Sequence, residues 1–382
     1  MGVANAARIQ APGEARPTEY EWPHRPGGVL AVRPKILVIK GDGIGPAVVS
    51  SALTILTELG FDAEFVFADA GLDYYRRTGR PFQPDLLDLA RSVDAVYKGP
   101  IDTPKASGYR SITVMLRKEL DLYANIRPFR SYPRISLREI DVVIVRENTE
   151  GLYVEAETML GRGQAVALRL ASRRAARRVA EAAFNLAIQW GRRRVTLIHK
   201  ASILKLTDGL YLEEFYNVAK RFEGRIEADD AFVDAAGYFL VKYPERLDVL
   251  LTPNLYGDIL SDVAAGVAGS MGLYGSANIG DRHAMFEPIH GTARDIAGKG
   301  IANPTAAIHA AVLMLRWLTE RGVCGRRCIE IAEAVEKAVQ EVIREGKHLT
   351  PDLGGSATTS EYTAAVLEKA SAILEDGGGE EA

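Results

Sequence analysis

Residues 35–46 read KILVIKGDGIGP, a short run of aliphatic and β-branched residues followed directly by a glycine-rich turn. Residues 46–59 then place apolar side chains at helical spacing, so this segment predicts a strand, a tight turn and a helix. The same alternation continues outward along the chain. Further strands are predicted at 64–67, 95–97, 141–145, 195–199 and 249–251, and further helices at 84–90 and 172–190. Strands that alternate with helices of this length predict an α/β fold with a largely parallel sheet.

The glycine-rich turn matches a nucleotide-binding loop only in part. The dinucleotide fingerprint is G-x-G-x-x-G, whereas here Gly41 and Gly43 are followed one position early by Gly45, and then by Pro46. Backbone amides at the start of a helix can hold a phosphate. The same residues also suit a tight strand-to-helix turn with Pro46 in the first helical turn. We therefore assign no cofactor site to this turn on its own.

The composition excludes several classes of protein. The chain has 382 residues, 47% hydrophobic and 25% charged, which is typical of a folded protein with two domains or one large α/β unit. The net charge is −3, so no overall field attracts nucleic acid or an anionic membrane. No apolar run approaches the ~18 residues of a membrane span. Two cysteines cannot form a disulfide framework. We expect a cytoplasmic protein with no nucleic-acid or membrane partner.

Residues 1–33 differ from the rest of the chain. Four prolines and the pair Gly27-Gly28 interrupt any regular period there, which predicts a flexible N-terminal extension. Arginines occur in this segment, but so do three glutamates, and transit peptides are poor in acidic residues. We interpret the segment as an untargeted extension.

Two aspartates in the stretch NLYGDILSD, residues 254–262, suggest chemistry. Asp258 and Asp262 are four residues apart in a segment with helical apolar spacing, so both carboxylates lie on one face. Like charges placed so closely repel each other unless a cation lies between them, and carboxylate oxygens suit Mg²⁺ or Mn²⁺. Two exposed acids near a helix start would show the same spacing. Asp234, embedded among small apolar residues, is a candidate third ligand.

Four motifs occur in one order: LRKELDLYANIRP at 116–128, RENTEGLY at 146–153, NLYGDILSD at 254–262 and EPIHGTARDIAGKGIANP at 287–304. With them the chain resembles the β-decarboxylating dehydrogenases, which comprise isocitrate, 3-isopropylmalate and homoisocitrate dehydrogenases. The resemblance runs from about residue 35 to residue 355. It implies a two-domain isocitrate/isopropylmalate dehydrogenase-like fold rather than a conventional Rossmann fold. It also implies a discontinuous cofactor-binding domain at 34–122 and 269–382, and a dimerisation, substrate and metal domain at 123–268.

The resemblance also implies a reaction. Family members oxidise a 3-substituted malate with NAD or NADP and a divalent metal, then release CO₂. Lys200 matches the family's catalytic base and Tyr153 its acid, while Asp234, Asp258 and Asp262 match its metal ligands. In that family the lysine and one aspartate cross to the neighbouring subunit, so we expect a homodimer or higher homo-oligomer with shared active sites. The substrate-binding positions implied are Lys98, Ser111, Thr113, Arg117, Arg127 and Arg146.

The last motif resembles the family's adenosine-binding loop. Asp295 can accept hydrogen bonds from ribose hydroxyls and would repel a 2′-phosphate, and NADP-using relatives carry Lys-Tyr at the positions of Asp295 and Ile296, so NAD is expected. Arg294 stands where relatives usually have proline, and its charge would soften the rejection of NADP. The cofactor-binding residues implied are Thr103, Glu287, His290, Gly291, Thr292, Ala293, Asp295, Ile296 and Asn303.

The start of the helix before Arg117 should read the substituent on the substrate's C3. Ser111 matches the serine of isocitrate enzymes, and Thr113 replaces their asparagine with another hydroxyl donor. An isopropyl pocket would prefer an apolar residue at Thr113, although Ile112 and Val114 could line one. We expect isocitrate as the substrate, with 3-isopropylmalate and homoisocitrate as alternatives. A non-catalytic regulatory subunit of the same fold is disfavoured, because the lysine, the tyrosine and the three acids are present.

Overall fold

The computed structural model describes residues 33–104 and 109–377. The predicted flexible extension lies outside these residues, apart from its last position. Within the described part of the chain, no helix is both long enough and apolar enough to cross a membrane.

In the part of the chain that the structure describes, ten strands form one sheet and two more form a hairpin. In chain order the strands are β1 Lys35–Ile39, β2 Glu64–Phe67, β3 Ala95–Lys98, β4 Ala124–Arg130, β5 Asp141–Glu147, β6 Glu157–Gly161, β7 Gln164–Ala167, β8 Arg194–His199, β9 Glu227–Phe232, β10 Val249–Thr252, β11 Gly275–Ile279 and β12 Ala284–Pro288. The large sheet has the order β2-β1-β3-β12-β11-β4-β5-β10-β8-β9, and β6 pairs with β7.

Eleven α-helices connect and cover these strands in the described residues. They are α1 Gly45–Glu58, α2 Leu72–Thr78, α3 Leu86–Ser92, α4 Ile112–Glu119, α5 Arg173–Gln189, α6 Thr207–Ala219, α7 Val233–Lys242, α8 Asn254–Ala268, α9 Thr305–Glu320, α10 Arg326–Glu345 and α11 Thr359–Gly377.

The sheet consists of two parallel halves joined by antiparallel strands. β2, β1, β3 and β12 pair in parallel, and so do β5, β10, β8 and β9. Between them, β12, β11, β4 and β5 pair in antiparallel fashion. The predicted α/β fold with a largely parallel sheet is therefore confirmed. The antiparallel centre is the part that strand–helix alternation does not predict, because β11 and β12 are adjacent in the chain with no helix between them.

Helices cover both faces of this central region. On one face, Arg127 of β4 donates a hydrogen bond to Ser261 of α8, and Arg117 of α4 donates to Glu287 of β12. On the other face, the α-carbon of Gly275 in β11 lies against α9, since a β-carbon there would be 2.3 Å from the Ala310 nitrogen. The strands β4 and β11 therefore separate a space between α4 and α8 from a space beside α9.

Candidate active site

A row of polar side chains crosses the centre of the sheet on the α4 and α8 face. Ser276 pairs with Glu287 across β11 and β12, and Tyr97 pairs with Phe286, which brings Lys98 beside Glu287. Lys98, Ser276 and Glu287 line a cavity of about 120 Å³. Five further residues that the sequence predicts to bind substrate or cofactor also line the cavity: Thr113, Arg117, Arg127, His290 and Gly291.

Glu287 is the carboxylate at the base of this cavity. It is 6% exposed and pairs with Lys98 Nζ at 2.7 Å and with Arg117 Nη2 at 2.9 Å. Burial by itself would raise the pKa of Glu287, but the charges of Lys98 and Arg117 outweigh it and hold that pKa well below its usual range. The carboxylate therefore fixes two cations at the cavity wall, and a contact of Glu287 with a cofactor stays a prediction.

The other two predicted substrate arginines are also buried and held by polar partners. Arg127 donates to Asn125 and to Ser261, both at 2.6 Å. Burial lowers the pKa of Arg127 to about 10, and the nearby charge of Arg146 acts in the same direction. Arg146 donates to Asn254 Oδ1 from Nε at 3.0 Å and from Nη2 at 2.7 Å. Burial and neighbouring cations thus make this region favourable for an anionic ligand.

Sequence reasoning missed Asn254 and Ser261 as parts of the site. Both lie in NLYGDILSD, so the signal was inside a motif already chosen for its aspartates. Helix α8 approaches β5 closely at Gly257, where a β-carbon would lie 2.7 Å from the side chain of Arg146. This close approach brings Asn254 and Ser261 to the two arginines.

Asp258 and Asp262 lie one turn apart on α8, as predicted. Asp258 accepts hydrogen bonds from Arg146 and Tyr153 and lies 3.7 Å from Arg127. Burial opposes ionisation of Asp258, yet the charges of Arg146 and Arg127 together lower its pKa. Asp262 is exposed and has no hydrogen-bond or salt-bridge partner in the described residues. This donor set fits one side of a divalent-cation site, because Asp262 still lacks a partner and both groups offer hard oxygens.

The third predicted ligand, Asp234, does not join this pair within one chain. No group of three or more acidic, histidine or cysteine side chains suited to a metal occurs among the described residues. Asp234 lies at the start of α7 and forms an ion pair with Lys200, the predicted base. The Lys200 backbone amide donates to the buried Asp208 carboxylate at 2.6 Å, which anchors the turn after β8. The structure therefore places Lys200 and Asp234 together, away from Asp258.

Tyr153, the predicted acid, lies in the short helical turn Leu152–Val154. Its hydroxyl donates to Asp258, and its ring lies 5.0 Å from the Arg146 guanidinium. Burial, together with the hydrogen bond to Asp258, raises the pKa of Tyr153. The phenol is therefore held in its protonated form, as a proton donor requires.

The motif at 287–304, the predicted cofactor loop, packs against the glycine-rich turn at 41–46. The Ile44 amide donates to the Thr292 carbonyl at 2.9 Å. Gly43 has φ +59° there, and a β-carbon at this position would lie 2.0 Å from the same carbonyl oxygen. The turn thus supports the loop, in agreement with the absence of a Rossmann fingerprint. His290 Nε2 is buried without a hydrogen-bond partner, and such an orphaned group fits the polar edge of an adenine.

Arg294 is bound within the protein. It pairs with Asp102, with Asp73 at 3.1 Å and with Asp42 at 3.6 Å. The expectation that its charge softens the rejection of a 2′-phosphate is therefore not supported by this geometry, because three carboxylates already compensate that charge. Asp295, the next residue, is exposed. Sequence reasoning missed Asp42, a buried carboxylate that also accepts three backbone amide hydrogen bonds.

The other residues predicted to bind the cofactor differ in their contacts and in their exposure. The Asn303 side chain accepts hydrogen bonds from Thr305 and donates to Asp352 at 3.0 Å, so any contact with a base would use its backbone. Thr292 donates to Asp102 at 2.5 Å. Gly291 is open on its α-carbon side, and Ala293, with φ +37°, turns the loop. Thr103 is exposed and Ile296 is half-buried.

The start of α4 presents one polar side chain to the cavity. Thr113 lines the cavity, whereas Ile112 is buried in a hydrophobic cluster on the other side of the helix. Ser111 caps the helix, since its Oγ accepts a hydrogen bond from the Val114 amide at 3.3 Å. The alternative in which Ile112 lines an alkyl pocket does not agree with this arrangement.

Comparison with known proteins agrees with these features. A family model described as isocitrate/isopropylmalate dehydrogenase matches residues 35–366. The 3-isopropylmalate/3-methylmalate dehydrogenase of Methanocaldococcus jannaschii is 46% identical over 341 residues, covering 88% of this chain and 98% of that protein. The isocitrate/homoisocitrate dehydrogenase of Thermus thermophilus is 45% identical over 337 residues, covering 87% and 98%.

A solved structure gives the same result for the fold. The crystal structure of isocitrate dehydrogenase from Methylococcus capsulatus matches with a TM-score of 0.83 and 41% sequence identity, covering 88% of this chain and 99% of that one. The resemblance inferred from the four motifs is therefore confirmed. The chain belongs to the isocitrate/isopropylmalate dehydrogenase family, whose members are dehydrogenases that decarboxylate hydroxy acids.

Proposed function

We propose that this protein is an NAD-dependent, divalent-metal-dependent enzyme that converts isocitrate to 2-oxoglutarate and CO₂. The choice of isocitrate among the family's substrates rests on the residues that line the cavity at Glu287. Lys98, Arg117 and Arg127 line it, Glu287 is the single acid among the described lining residues, and Thr113 adds a hydroxyl. Isocitrate has three carboxylates, whereas isopropylmalate has two and an alkyl group. A wall rich in cations and hydroxyls therefore suits isocitrate better.

The proposed reaction assigns a separate step to each titratable residue. Lys200 accepts the proton of the C2 hydroxyl, and NAD, when bound, would accept the hydride from C2. The C3 carboxylate then leaves as CO₂, and Tyr153 returns a proton to C3. Arg117, Arg127 and Arg146 hold the carboxylates in place for both steps. Asp258, Asp262 and Asp234 would hold Mg²⁺ or Mn²⁺, and such an ion would polarise the C2 oxygen and stabilise negative charge there.

We propose that two chains share each active site. Lys200 and Asp234 pair with each other within one chain, but neither reaches Asp258. Two large apolar side chains are exposed close to Lys200 in the chain, with Leu206 84% exposed and Ile203 71% exposed. Further exposed apolar side chains lie on α7 and α8 at Tyr238, Val241 and Ile259. Several exposed apolar residues on neighbouring elements are typical of a protein interface, so a second copy covering this face would deliver Lys200 and Asp234 to the first copy's arginines.

We propose NAD rather than NADP as the cofactor. Asp295 is exposed and free to accept hydrogen bonds from ribose hydroxyls, and Arg294 is neutralised by its three acids. A 2′-phosphate near Asp295 would therefore meet a carboxylate without a compensating cation. The division into a cofactor domain at 34–122 and 269–382 and a second domain at 123–268 belongs to the same proposal, as does a cytoplasmic location.

The second candidate function is 3-isopropylmalate dehydrogenase, which the name of the Methanocaldococcus relative favours. The test measures NADH formation with isocitrate, 3-isopropylmalate and homoisocitrate, each with NAD⁺ and with NADP⁺. Each assay is repeated after EDTA treatment and again after Mg²⁺ is restored. The proposal requires the highest kcat/KM for isocitrate with NAD⁺, and its loss with EDTA. A higher kcat/KM for isopropylmalate selects the second candidate, and no turnover of any acid indicates a regulatory subunit.

A further inference from the structure

A second and larger cavity lies on the opposite face of the central strands. Its volume is about 680 Å³, against about 120 Å³ for the cavity at Glu287. It lies between the carboxyl end of α5 on one side and α9 and α10 on the other. The proposed reaction uses none of its lining residues. A volume of this size is typical of small-molecule sites.

The two cavities lie back to back across β4 and β11. Arg127 and Ser276 line the first, whereas their chain neighbours Pro128 and Gly275 line the second. Adjacent residues of a strand point to opposite faces of the sheet. One layer of backbone therefore separates the two spaces, and a molecule in the larger cavity cannot contact the cofactor loop.

Aromatic rings form much of the inner wall of the larger cavity. Tyr132 stacks on His309 with their planes 11° apart, and Tyr132 also packs against Tyr274. The polar atoms of these rings are already paired: Tyr132 Oη lies 3.3 Å from His309 Nε2, His309 Nδ1 lies 2.5 Å from the Leu273 carbonyl, and Tyr274 donates to the Arg130 carbonyl at 2.7 Å. Tyr132 is 6% exposed and Tyr274 3% exposed, so the inner wall offers the edges of these rings and few free hydrogen-bonding groups.

The charged groups of the larger cavity lie at its rim. The acids Asp141 and Glu336 are paired with Arg192 and Arg316 at 2.6 Å and 2.7 Å. Three charged side chains line the cavity without a salt bridge in the described residues, and all are exposed: Arg130, Lys337 and Glu333. Cations thus outnumber acids two to one among the unpaired charges. Trp190 adds a further ring at the end of α5.

We propose that this cavity is a binding site for a small aromatic monoanion. The ring of the ligand packs beside Trp190 and against the edges of Tyr132 and Tyr274, and its carboxylate or sulfonate lies at the rim beside Arg130. The combination of aromatic rings inside the cavity with an unpaired cation at its edge carries this choice, because the polar atoms of Tyr132, Tyr274 and His309 are already paired and offer no donor to an anion.

The test uses anilinonaphthalene sulfonate, a fluorescent aromatic anion, with the full-length protein. We expect a saturable fluorescence increase with one site per chain, reversed by naphthoate as a non-fluorescent aromatic carboxylate. Arg130→Glu replaces the rim cation with an acid and should weaken binding about tenfold. Leu313 also lines the cavity, so Leu313→Trp fills it with an indole and should abolish binding. Arg225→Glu makes the same charge change at an exposed arginine that lines neither cavity, and should leave binding unchanged.

Two results would overturn the proposal. Competitive displacement of the probe by NAD⁺ would place it at the cofactor loop instead. Equal binding by the wild type, Arg130→Glu and Leu313→Trp would place it elsewhere on the surface. Circular dichroism of each variant confirms that it is folded, and Arg130→Glu keeps the test decisive if Leu313→Trp does not fold, because Arg130 is exposed.

Discussion

Two inactive variants should restore activity to each other when they form mixed dimers. Lys200 contacts Asp234 of its own chain and does not reach Asp258. If each site combines Asp258 of one chain with Lys200 of the other, then Lys200→Met and Asp258→Asn damage different halves of the site. Each homodimer should lose activity by a factor of about 100 or more, since each loses a proton-transfer or charge-stabilising group.

The expected recovery follows from counting sites. With random assortment of a C₂ dimer, about half of all dimers are mixed. In a mixed dimer, one site has its own intact Asp258 and receives an intact Lys200, while the other site carries both substitutions. The mixture should therefore reach about a quarter of the wild-type kcat per chain. Coexpression with two different affinity tags isolates the mixed dimers, whose activity should be about half of the wild-type value.

A matched pair of variants supplies the control. Lys200→Met and Asp234→Asn both alter the half of the site that a chain donates, so neither site of their mixed dimer is complete. We expect no recovery from this pair. If purified mixed dimers of Lys200→Met and Asp258→Asn stay as inactive as the parents, the lysine acts within its own chain and the shared-site proposal is wrong. A monomeric but active protein in analytical ultracentrifugation would refute it as well.

Three further substitutions test the electrostatics of the site. Glu287→Gln leaves Lys98 and Arg117 buried without a counter-charge and should cost about 3 kcal/mol of unfolding free energy at neutral pH. Because the pKa of Glu287 is lowered on folding, its stabilisation is present above the unfolded pKa and fades as pH falls. Denaturant titrations should therefore show that the difference in unfolding free energy between the wild type and Glu287→Gln becomes smaller below about pH 4.5. A difference that does not change with pH contradicts this reasoning. Arg294→Ala frees the cofactor loop from Asp102 and should weaken NADH binding several-fold, measured by fluorescence titration, with unchanged KM for the hydroxy acid; an unchanged Kd for NADH would count against a positioning role. Thr113→Val removes the hydroxyl at constant volume, and should shift the kcat/KM ratio from isocitrate toward isopropylmalate by about tenfold, whereas an unchanged ratio would show that Thr113 does not read the C3 substituent.

Local sequence patterns predicted the outer parts of the sheet well. The strands at 64–67, 95–97 and 195–199 and the helix at 172–190 agree with β2, β3, β8 and α5 to within a few residues. These elements carry apolar residues at a regular period, so their burial can be inferred from their own sequence. The predicted helix at 84–90 lies within two residues of α3, which begins at Leu86 and ends at Ser92.

The central strands could not be predicted in this way. β4 contains Asn125, Arg127 and Pro128, and β11 reads GSANI, so neither shows the β-branched pattern of a strand. Both are nevertheless almost wholly buried. Their polar side chains are satisfied by each other, as in the hydrogen bond from Asn125 to Asn278 at 2.9 Å. A strand whose polar groups find partners only in distant segments has no local signature.

The same limit applies to the charges of the active site. A sequence records that Arg294 is positive and Asp262 negative, but the charge offered to a ligand depends on what each side chain already contacts. Arg294 meets Asp102 from 192 positions away and loses its effect on a phosphate. Arg117 meets Glu287 from 170 positions away and is fixed at the cavity wall. Asp262 meets no such partner among the described residues and stays available to a cation. Motifs therefore predict which residues react, whereas the charge that each side chain offers to a cofactor or substrate depends on pairings that only the folded chain establishes.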